Sequence, residues 1–469
     1  MQLRPISASG EGAPRDGVRR RRAGGLKRLA TAGLTITACC LAAMVAASVA
    51  GAHGHGPPPG GHLLSGYGGG GGGILGRGGS RHHRGHHAPV PQAEGVQSIA
   101  TGLNEPKKLT VAPDGSLLVA LSGDGTPSSN CVGSGEEQKC LNQSGAIDRI
   151  TPSGQVSTAL GGLPSISEGG GATGPSEARY VHGALEVLSQ TELSPTTHEQ
   201  PFGPEGALLG DLVRFSFGGS PKIQASFGPF EAANNPDKGA GTAVEFGAEP
   251  AIDSDPYSFV PYHGGFAVAD AAGNDLLFVS RSGAISVLAV FPPIPETFPP
   301  GTLGPTQTEA IKGMAQAVPD SVAVGPDGAL YVGELGGAPF EVGTSDVYRV
   351  VPGHAPTVFA SGFTAIGDIG FDQAGRLLVL EIDQQGLNDA FAAKATPPAP
   401  GAIIGVHRDG SHQLLASTGL EFPTGLAVGP ADSVYVSNWG VLPATGGPGG
   451  LSGQVVRVGL PASWLQSWG

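Results

Sequence analysis

The sequence predicts an all-β fold: a six-bladed β-propeller in which an N-terminal strand completes the last blade. Three observations predict it. One hairpin motif recurs along the chain, further short strands follow its copies, and the first strand-like segment has no partner strand beside it. The 80 glycines and 41 prolines are largely spread among apolar runs, which suits a chain of many short strands and tight turns.

The recurring motif joins two alternating segments through a turn of the Pro-Asp-Gly type. In four copies the first and last apolar residues lie ten positions apart, at residues 109–119, 322–332, 369–379 and 426–436. Two degenerate copies fill the gap between them, at residues 175–188 and 256–269. Alternating segments around such a turn are typical of a β-hairpin, so we expect six hairpins.

Two more strands are expected after each hairpin. The third has alternating apolar residues and often an arginine, as at residues 145–150, 210–215, 345–350 and 453–458. A fourth follows, as at residues 155–159 and 356–360. A sheet of four such strands has two apolar faces and needs a neighbour on each side, which predicts a closed ring.

The two ends of the chain are expected to close this ring. The last unit ends after its third strand, near Leu460, and residues 96–102 resemble an isolated fourth strand. Pairing them would remove the exposed edges of the sheet. The units exceed the shortest propeller repeats in length, and we expect the surplus in four loops, at residues 123–144, 190–209, 292–317 and 383–399.

Residues 1–52 have the features of a secretory signal peptide. Basic residues between Arg19 and Arg28 precede an uncharged apolar run over residues 29–50, and small residues at 48–52 offer cleavage sites. The arginines also suit twin-arginine export. The length of the apolar run leaves an uncleaved membrane anchor as the alternative, and this segment is the one expected contact with a membrane.

Residues 53–95 are rich in glycine and histidine and poor in apolar residues, which predicts a disordered linker. The propeller domain is then expected over residues 96–469. Cys131 and Cys140 bracket a polar stretch and are expected to form a disulfide, since no histidine or further cysteine lies near them for a metal site. Signal and disulfide together predict a secreted or extracytoplasmic protein.

Charge is distributed unevenly along the chain. The first 95 residues hold 11 of the 26 Lys and Arg but only 3 of the 39 Asp and Glu, which leaves a charge of about −21 on the rest. Nucleic-acid binding requires clustered Lys and Arg, so the composition argues against a nucleic-acid partner. A small molecule, a cation or a protein remains as the expected partner.

Four segments resemble the ScyD/ScyE family, NHL-like propeller proteins associated with a cyanobacterial pigment cluster. They are residues 103–115, 253–257, 268–274 and 324–335, with the phrases Asp-Pro-Tyr and Ala-Asp-Ala-Ala-Gly-Asn as the more specific ones. The resemblance spans nearly all of residues 96–460. It implies a secreted propeller, and it implies no particular reaction because the family has no settled activity.

A ligand-binding face is expected where the first strand of each blade starts and the second ends, around the central channel. Polar residues shortly after second strands, or near the starts of first strands, are the candidates: Glu177, Asp255, Asp270, Asn274, Asp320, Glu334, Asp368, Glu381 and Asn438. Carboxylate and amide oxygens are the ligands that Ca²⁺ or Mg²⁺ prefer. The sequence therefore predicts a binding or scaffold module that acts through an acidic channel face.

Two alternatives use the same residues. By analogy of fold with gluconolactonase-like propellers, Asp270, Glu334, Glu381 and Asn438 would hold a divalent metal for lactone hydrolysis, with His263 as proton shuttle. No contiguous signature of that family is present. In the second alternative, these acidic residues are solvated residues at the rim of the ring.

Overall fold

The computed structural model describes residues 95–135, 138–191, 193, 201–240, 252–300, 307–387, 400–441 and 452–466. The predicted signal peptide, residues 1–52, lies outside these ranges, as does the predicted linker, residues 53–95, apart from Gly95. No helix within the described ranges combines the length and hydropathy needed to cross a membrane.

Six antiparallel sheets, each built on four strands, form the blades. The described chain begins with β1 (Gly95–Leu103), which belongs to blade 6. Blade 1 contains β2 (Pro106–Val111), β3 (Leu117–Leu121), β5 (Lys139–Ile150) and β6 (Val156–Glu168), with the short strands β4 (Asn130–Val132) and β7 (Gly171–Thr173) paired to β5 and β6. Blade 2 contains β8 (Pro175–Val181), β9 (Ala184–Ser189), β10 (Asp211–Phe215) and β11 (Lys222–Ser226). Blade 3 contains β12 (Pro256–Tyr262), β13 (Gly265–Asp270), β14 (Asp275–Val279) and β15 (Ile285–Val290).

The second half of the ring follows the same plan. A separate hairpin of β16 (Ile294–Phe298) and β17 (Ile311–Ala315) precedes blade 4. Blade 4 contains β18 (Pro319–Val324), β19 (Leu330–Glu334), β20 (Ser345–Val350) and β21 (Thr357–Phe363). Blade 5 contains β22 (Ile366–Phe371), β23 (Leu377–Glu381), β24 (Ala402–Val406) and β25 (His412–Ala416). Blade 6 contains β26 (Gly425–Val428), β27 (Val434–Asn438), β28 (Gly453–Gly459) and β1.

The ring is closed, as predicted. The first strands contact one another in succession, from β2 with β8 around to β26 with β2. Strand β1 pairs with β28 in antiparallel register, from Gly95 opposite Gly459 to Leu103 opposite Gly453. The two ends of the described chain therefore share one sheet, and the expectation that an N-terminal strand completes the last blade is confirmed.

Buried apolar side chains fill the space between neighbouring blades. Between blades 1 and 6, Leu109 and Val119 belong to the same cluster as Ala427 and Val455. Equivalent clusters lie between the other five pairs of blades. Burial of apolar area contributes roughly 25 cal/mol per Å², so these layers are the main stabilising contribution to the ring.

Two of the segments expected to be loops contain strands. Residues 123–144 include β4 and the start of β5, where Cys131 lies opposite Cys140 and forms the predicted disulfide with it. Residues 292–317 include the β16–β17 hairpin. Both additions lack the repeated motif and were not predicted.

Within the described residues, helices lie at two places on the ring. Helix α1 (Phe227–Asn234) follows blade 2, and α2 (Ala462–Gln466) follows blade 6. Single 3₁₀ turns occur at Gly203–Gly206 and Pro430–Asp432.

Four of the first strands begin with a proline, and a register shift follows it in each case. Proline has no N–H to donate to the neighbouring strand and is tolerated at the first position of a strand. A bulge at this point redirects the side chains that follow it. The polar residues just after the bulge are the ones that meet in the channel.

Candidate functional site

Lys108, on the first strand of blade 1, crosses the central channel. Its Nζ donates a hydrogen bond to the carbonyl oxygen of Gly367 and lies 3.3 Å from Oδ1 of Asp368, both on blade 5. The ammonium group also lies 5.2 Å from the ring centroid of Tyr257 on blade 3. Only 2% of the lysine is exposed, so protein groups replace its hydration. One cation thereby connects three alternate blades.

Glu177 and Asp368 connect neighbouring first strands. Glu177 Oε2 accepts a hydrogen bond from the backbone N–H of Phe259 on the next blade, at 2.7 Å. Asp368 Oδ2 accepts one from the backbone N–H of Leu426 on blade 6, also at 2.7 Å. The first strands of adjacent blades do not pair as a sheet. These two predicted residues therefore line the channel and hold its wall together.

Asp320 is another predicted residue of a first strand, and the charge of Lys108 acts on it. It is buried, and its Oδ1 has no hydrogen-bond partner among the described residues. Burial raises the pKa of Asp320 to about 7, although the nearby Lys108 charge acts in the opposite direction. This carboxyl group therefore changes its charge near neutral pH.

On the side of the hairpin turns the channel opens into a cavity of about 370 Å³, called the axial funnel below. Its polar lining includes Glu177, Arg179 and Asp368, and its apolar lining includes Val324 and Phe371. Nη2 of Arg179 lies 2.5 Å from Oε1 of Glu177, and about a third of the arginine side chain is exposed. The volume falls within the range of small-molecule sites.

The opposite end of the channel, where the binding face was predicted, is covered by apolar residues. They precede first strands or follow second strands: Ala271, Val318, Leu335, Ala365, Ile382 and Phe422. None of the nine candidate residues is more than 7% exposed. The interpretation of these residues as solvated rim residues is therefore wrong, because they lie beneath the surface.

Three of the four candidate metal ligands instead bind the backbone of their own blade. Asp270 Oδ1 accepts a hydrogen bond from the N–H of Asp255 at 2.7 Å, and Glu381 Oε1 accepts one from Thr364 at 2.9 Å. Asn438 Oδ1 accepts one from Glu421 at 2.6 Å. In each case a residue at the end of the second strand holds the segment that leads into the first strand.

Glu334, the fourth candidate metal ligand, is buried at the same position of blade 4, and its Oε1 has no hydrogen-bond partner among the described residues. Burial raises the pKa of Glu334 well above its usual value. The pKa of Glu381 is raised to about 7 for the same reason.

The remaining two candidates also make internal hydrogen bonds. Asp255 Oδ1 accepts from the N–H of Thr191 at 3.0 Å, which joins blade 3 to blade 2. Asn274 Oδ1 accepts from the N–H of Val318 at 3.1 Å, which joins blade 3 to blade 4.

The structure does not bring the predicted metal ligands together. Asp270, Glu334, Glu381 and Asn438 each belong to a different blade, and no three His, Cys, Asp or Glu side chains in the described ranges are arranged around one point as ligands. His263 lies in the hairpin turn of blade 3, at the other end of β13 from Asp270. Five residues of strand separate them, about 17 Å.

A group of carboxyls at the rim of blade 3 was only partly predicted. It consists of Glu231, Asp237, Asp253, Asp270 and Asp275, and is called the carboxylate chamber below. Asp270 was a candidate from the sequence, and the other four were not. Burial and the carboxylates of Asp270, Asp237 and Asp253 raise the pKa of Glu231 to about 8.

No protein-family model and no curated protein matches this chain. Among solved structures, a calcium-binding regucalcin from Agrobacterium tumefaciens is 11% identical, with a TM-score of 0.42 over 78% of this chain and 94% of that one. A virginiamycin B lyase from Staphylococcus aureus, solved with quinupristin, is 12% identical, with a TM-score of 0.38 over 74% and 82%. A protein proposed to be a gluconolactonase is 11% identical, with a TM-score of 0.40 over 78% and 93%. At these values none of the three indicates what this chain binds.

Proposed function

We propose that this chain is an extracytoplasmic propeller of the ScyD/ScyE type that binds a small molecule in the axial funnel. The observation that carries the proposal is the funnel itself, a cavity of about 370 Å³ that is lined by both apolar and polar residues, among them a partly exposed arginine. Because Arg179 is paired with Glu177, the site offers both a donor and an acceptor at little net charge. It suits a small molecule that combines apolar surface with polar groups.

The Lys108 contacts support a binding role over a hydrolytic one. The lysine occupies the channel with its charge matched by Asp368. In the described part of the chain, the four residues proposed to hold a catalytic metal do not form a group that surrounds one point. We therefore expect no lactone hydrolysis above the buffer rate in the presence of Ca²⁺ or Mg²⁺, and metal-dependent turnover abolished by Glu334→Gln would favour the hydrolase instead.

Fluorescence titration with anilinonaphthalene sulfonate, an apolar molecule with one anionic group, tests the funnel. Val324 lines the funnel on the first strand of blade 4, and Val358 is an exposed valine on the fourth strand of the same blade. We expect Val324→Arg to weaken binding of this probe at least tenfold and Val358→Arg to leave it unchanged. Equal binding by both variants, or none by the unmodified protein, would contradict the proposal.

A further inference from the structure

The carboxylate chamber is formed by three segments that come together at blade 3. Asp270 ends β13 and lies opposite Asp275, the first residue of β14. Helix α1 contributes Glu231, which is 2% exposed. The segment after the helix contributes Asp237, whose Oδ2 accepts a hydrogen bond from Asn274 Nδ2 at 2.8 Å. Asp253 completes the group, just before the first strand of the blade.

The carboxylates of the chamber differ in how their oxygens are used. Asp270 accepts hydrogen bonds from Ser254 Oγ at 2.6 Å and from two backbone N–H groups. By contrast, neither carboxylate oxygen of Asp275 has a hydrogen-bond partner among the described residues, although this side chain is completely buried. Glu231 Oε1 and Asp253 Oδ2 are also without a partner there.

Buried carboxylates that lack hydrogen-bond partners lower the stability of the fold unless a positive charge compensates them. The charged neighbours that act on Asp275 are the carboxylates of Asp270, Glu231 and Asp237. The positive residue that acts on Asp253 is Lys139, which is itself paired with Glu168 at 3.3 Å. A buried carboxylate without a hydrogen bond or a cation loses several kcal/mol of hydration free energy. Protons or a bound cation can supply the missing partner.

We propose that the carboxylate chamber binds a calcium ion, with Asp275 and Glu231 as central ligands and Asp253 as a third. The available donors are carboxylate oxygens, and calcium accepts six to eight oxygens in a flexible geometry, whereas magnesium requires a near-ideal octahedron. No three acidic side chains in the described part of the chain surround one point as ligands, so binding of the ion requires Glu231 and Asp253 to move toward Asp275. This site is separate from the axial funnel, so either proposal can fail alone.

The test uses the purified full chain, freed of metal with a chelator. Calorimetric titration with CaCl₂ is expected to show about one ion per chain. Addition of 10 mM CaCl₂ is expected to raise the unfolding midpoint by about 3 °C, because an ion that binds only the folded state stabilises it by mass action. The same concentration of MgCl₂ is expected to give a smaller rise.

Asp275→Asn removes the central charge and keeps the shape of the side chain. We expect it to abolish both the heat of binding and the calcium-dependent rise. Glu334→Gln is the matched control, because it neutralises another buried carboxyl with an unpartnered oxygen, in blade 4. It is expected to respond to calcium like the unmodified protein. If Asp275→Asn does not fold, Glu231→Gln replaces it, with the same expectation.

Three results would overturn the proposal. One is the absence of heat and of any midpoint change in the unmodified protein up to 10 mM CaCl₂. Another is unchanged calcium binding by the folded Asp275→Asn or Glu231→Gln protein. The third is an equal loss of calcium binding in Glu334→Gln, which would place the ion elsewhere.

Discussion

A lysine buried inside a protein loses its hydration. For Lys108, a carbonyl oxygen, a carboxylate and an aromatic ring on two other blades take the place of water. Removing one partner of a buried ion pair leaves the other charge without compensation, which typically costs about 3–5 kcal/mol. At the residue scale this one side chain therefore contributes substantially to the stability of the channel.

Replacing Lys108 by methionine keeps the length of the side chain but removes its charge, which leaves Asp368 facing the channel without its cation. We expect the free energy of unfolding, measured by urea denaturation at pH 7, to fall by about 3 kcal/mol. Lys312→Met, at an exposed position on β17, is the control and is expected to change it by less than about 0.5 kcal/mol. Equal effects of the two substitutions would show that Lys108 is not held as described.

Asp320 makes stability depend on pH. Its pKa is raised from 3.8 to about 7 in the folded protein. The folded state therefore holds a proton that the unfolded state has released, and stability decreases as the pH rises through this window. Between pH 5.5 and 8.5 the loss due to this group is about 2 kcal/mol. Asp320→Asn is expected to reduce the difference in unfolding free energy between these two pH values by that amount. An unchanged difference would contradict the pKa shift.

The candidate residues show which part of the site could be predicted from equivalent positions in the repeated strands. Glu177 and Asp368 were predicted at the channel because they occupy matching positions in repeated first strands. Lys108 occupies the same position, two residues after Pro106, as Glu177 does after Pro175. Aligning the first strands would have identified it. The pairing of this lysine with blade 5 depends on closure of the ring, which no local pattern contains.

At the scale of elements, the blades could be predicted and the additions to them could not. All six hairpins follow the recurring motif, including the degenerate copies that became β8–β9 and β12–β13. The β16–β17 hairpin and α1 lie between repeats and have no counterpart elsewhere in the chain. For that reason the chamber, to which α1 contributes Glu231, was not predicted as a group.

Helix α2 packs against blade 5 through one tryptophan side chain. Trp464 is completely buried, its Nε1 donates to Asp372 Oδ2 at 3.1 Å, and the Arg376 guanidinium carbon lies 4.0 Å from the centroid of its ring. A Cβ atom at Gly405 would lie 2.5 Å from this ring, so blade 5 leaves room for it only because residue 405 is glycine.

Trp464→Ala should therefore remove a large buried contact. We expect it to lower the unfolding free energy by about 3–5 kcal/mol, as is typical for truncation of a buried aromatic residue. Leu465→Ala, at a partly buried position of the same helix, is expected to cost less. Urea denaturation of both variants is the measurement, and a smaller loss for Trp464→Ala than for Leu465→Ala would contradict the docking.

At the scale of the whole molecule, each blade is covered on both faces by its neighbours, so the six sheets depend on one another. The ring closes through β1, which pairs with β28 along its whole length. Stability is then a property of the closed ring, because an opened ring exposes two apolar layers and one unpaired strand edge.

Truncation of the chain before or after β1 measures how much closure of the ring contributes to stability. A chain that begins at Gly95 keeps β1, and we expect it to unfold in one cooperative thermal transition. A chain that begins at Asn104 lacks β1, and we expect it to lose that transition and to aggregate through the free edge of β28. Identical melting of the two chains would mean that the ring does not depend on β1.

The pairing of β1 with β28 also has a mechanical consequence. Any load applied to the polypeptide ahead of Gly95 reaches the domain through β1 and acts first on the hydrogen bonds that join it to β28. Tension on that end would therefore separate β1 from β28 before it disrupts the inner strands of any sheet.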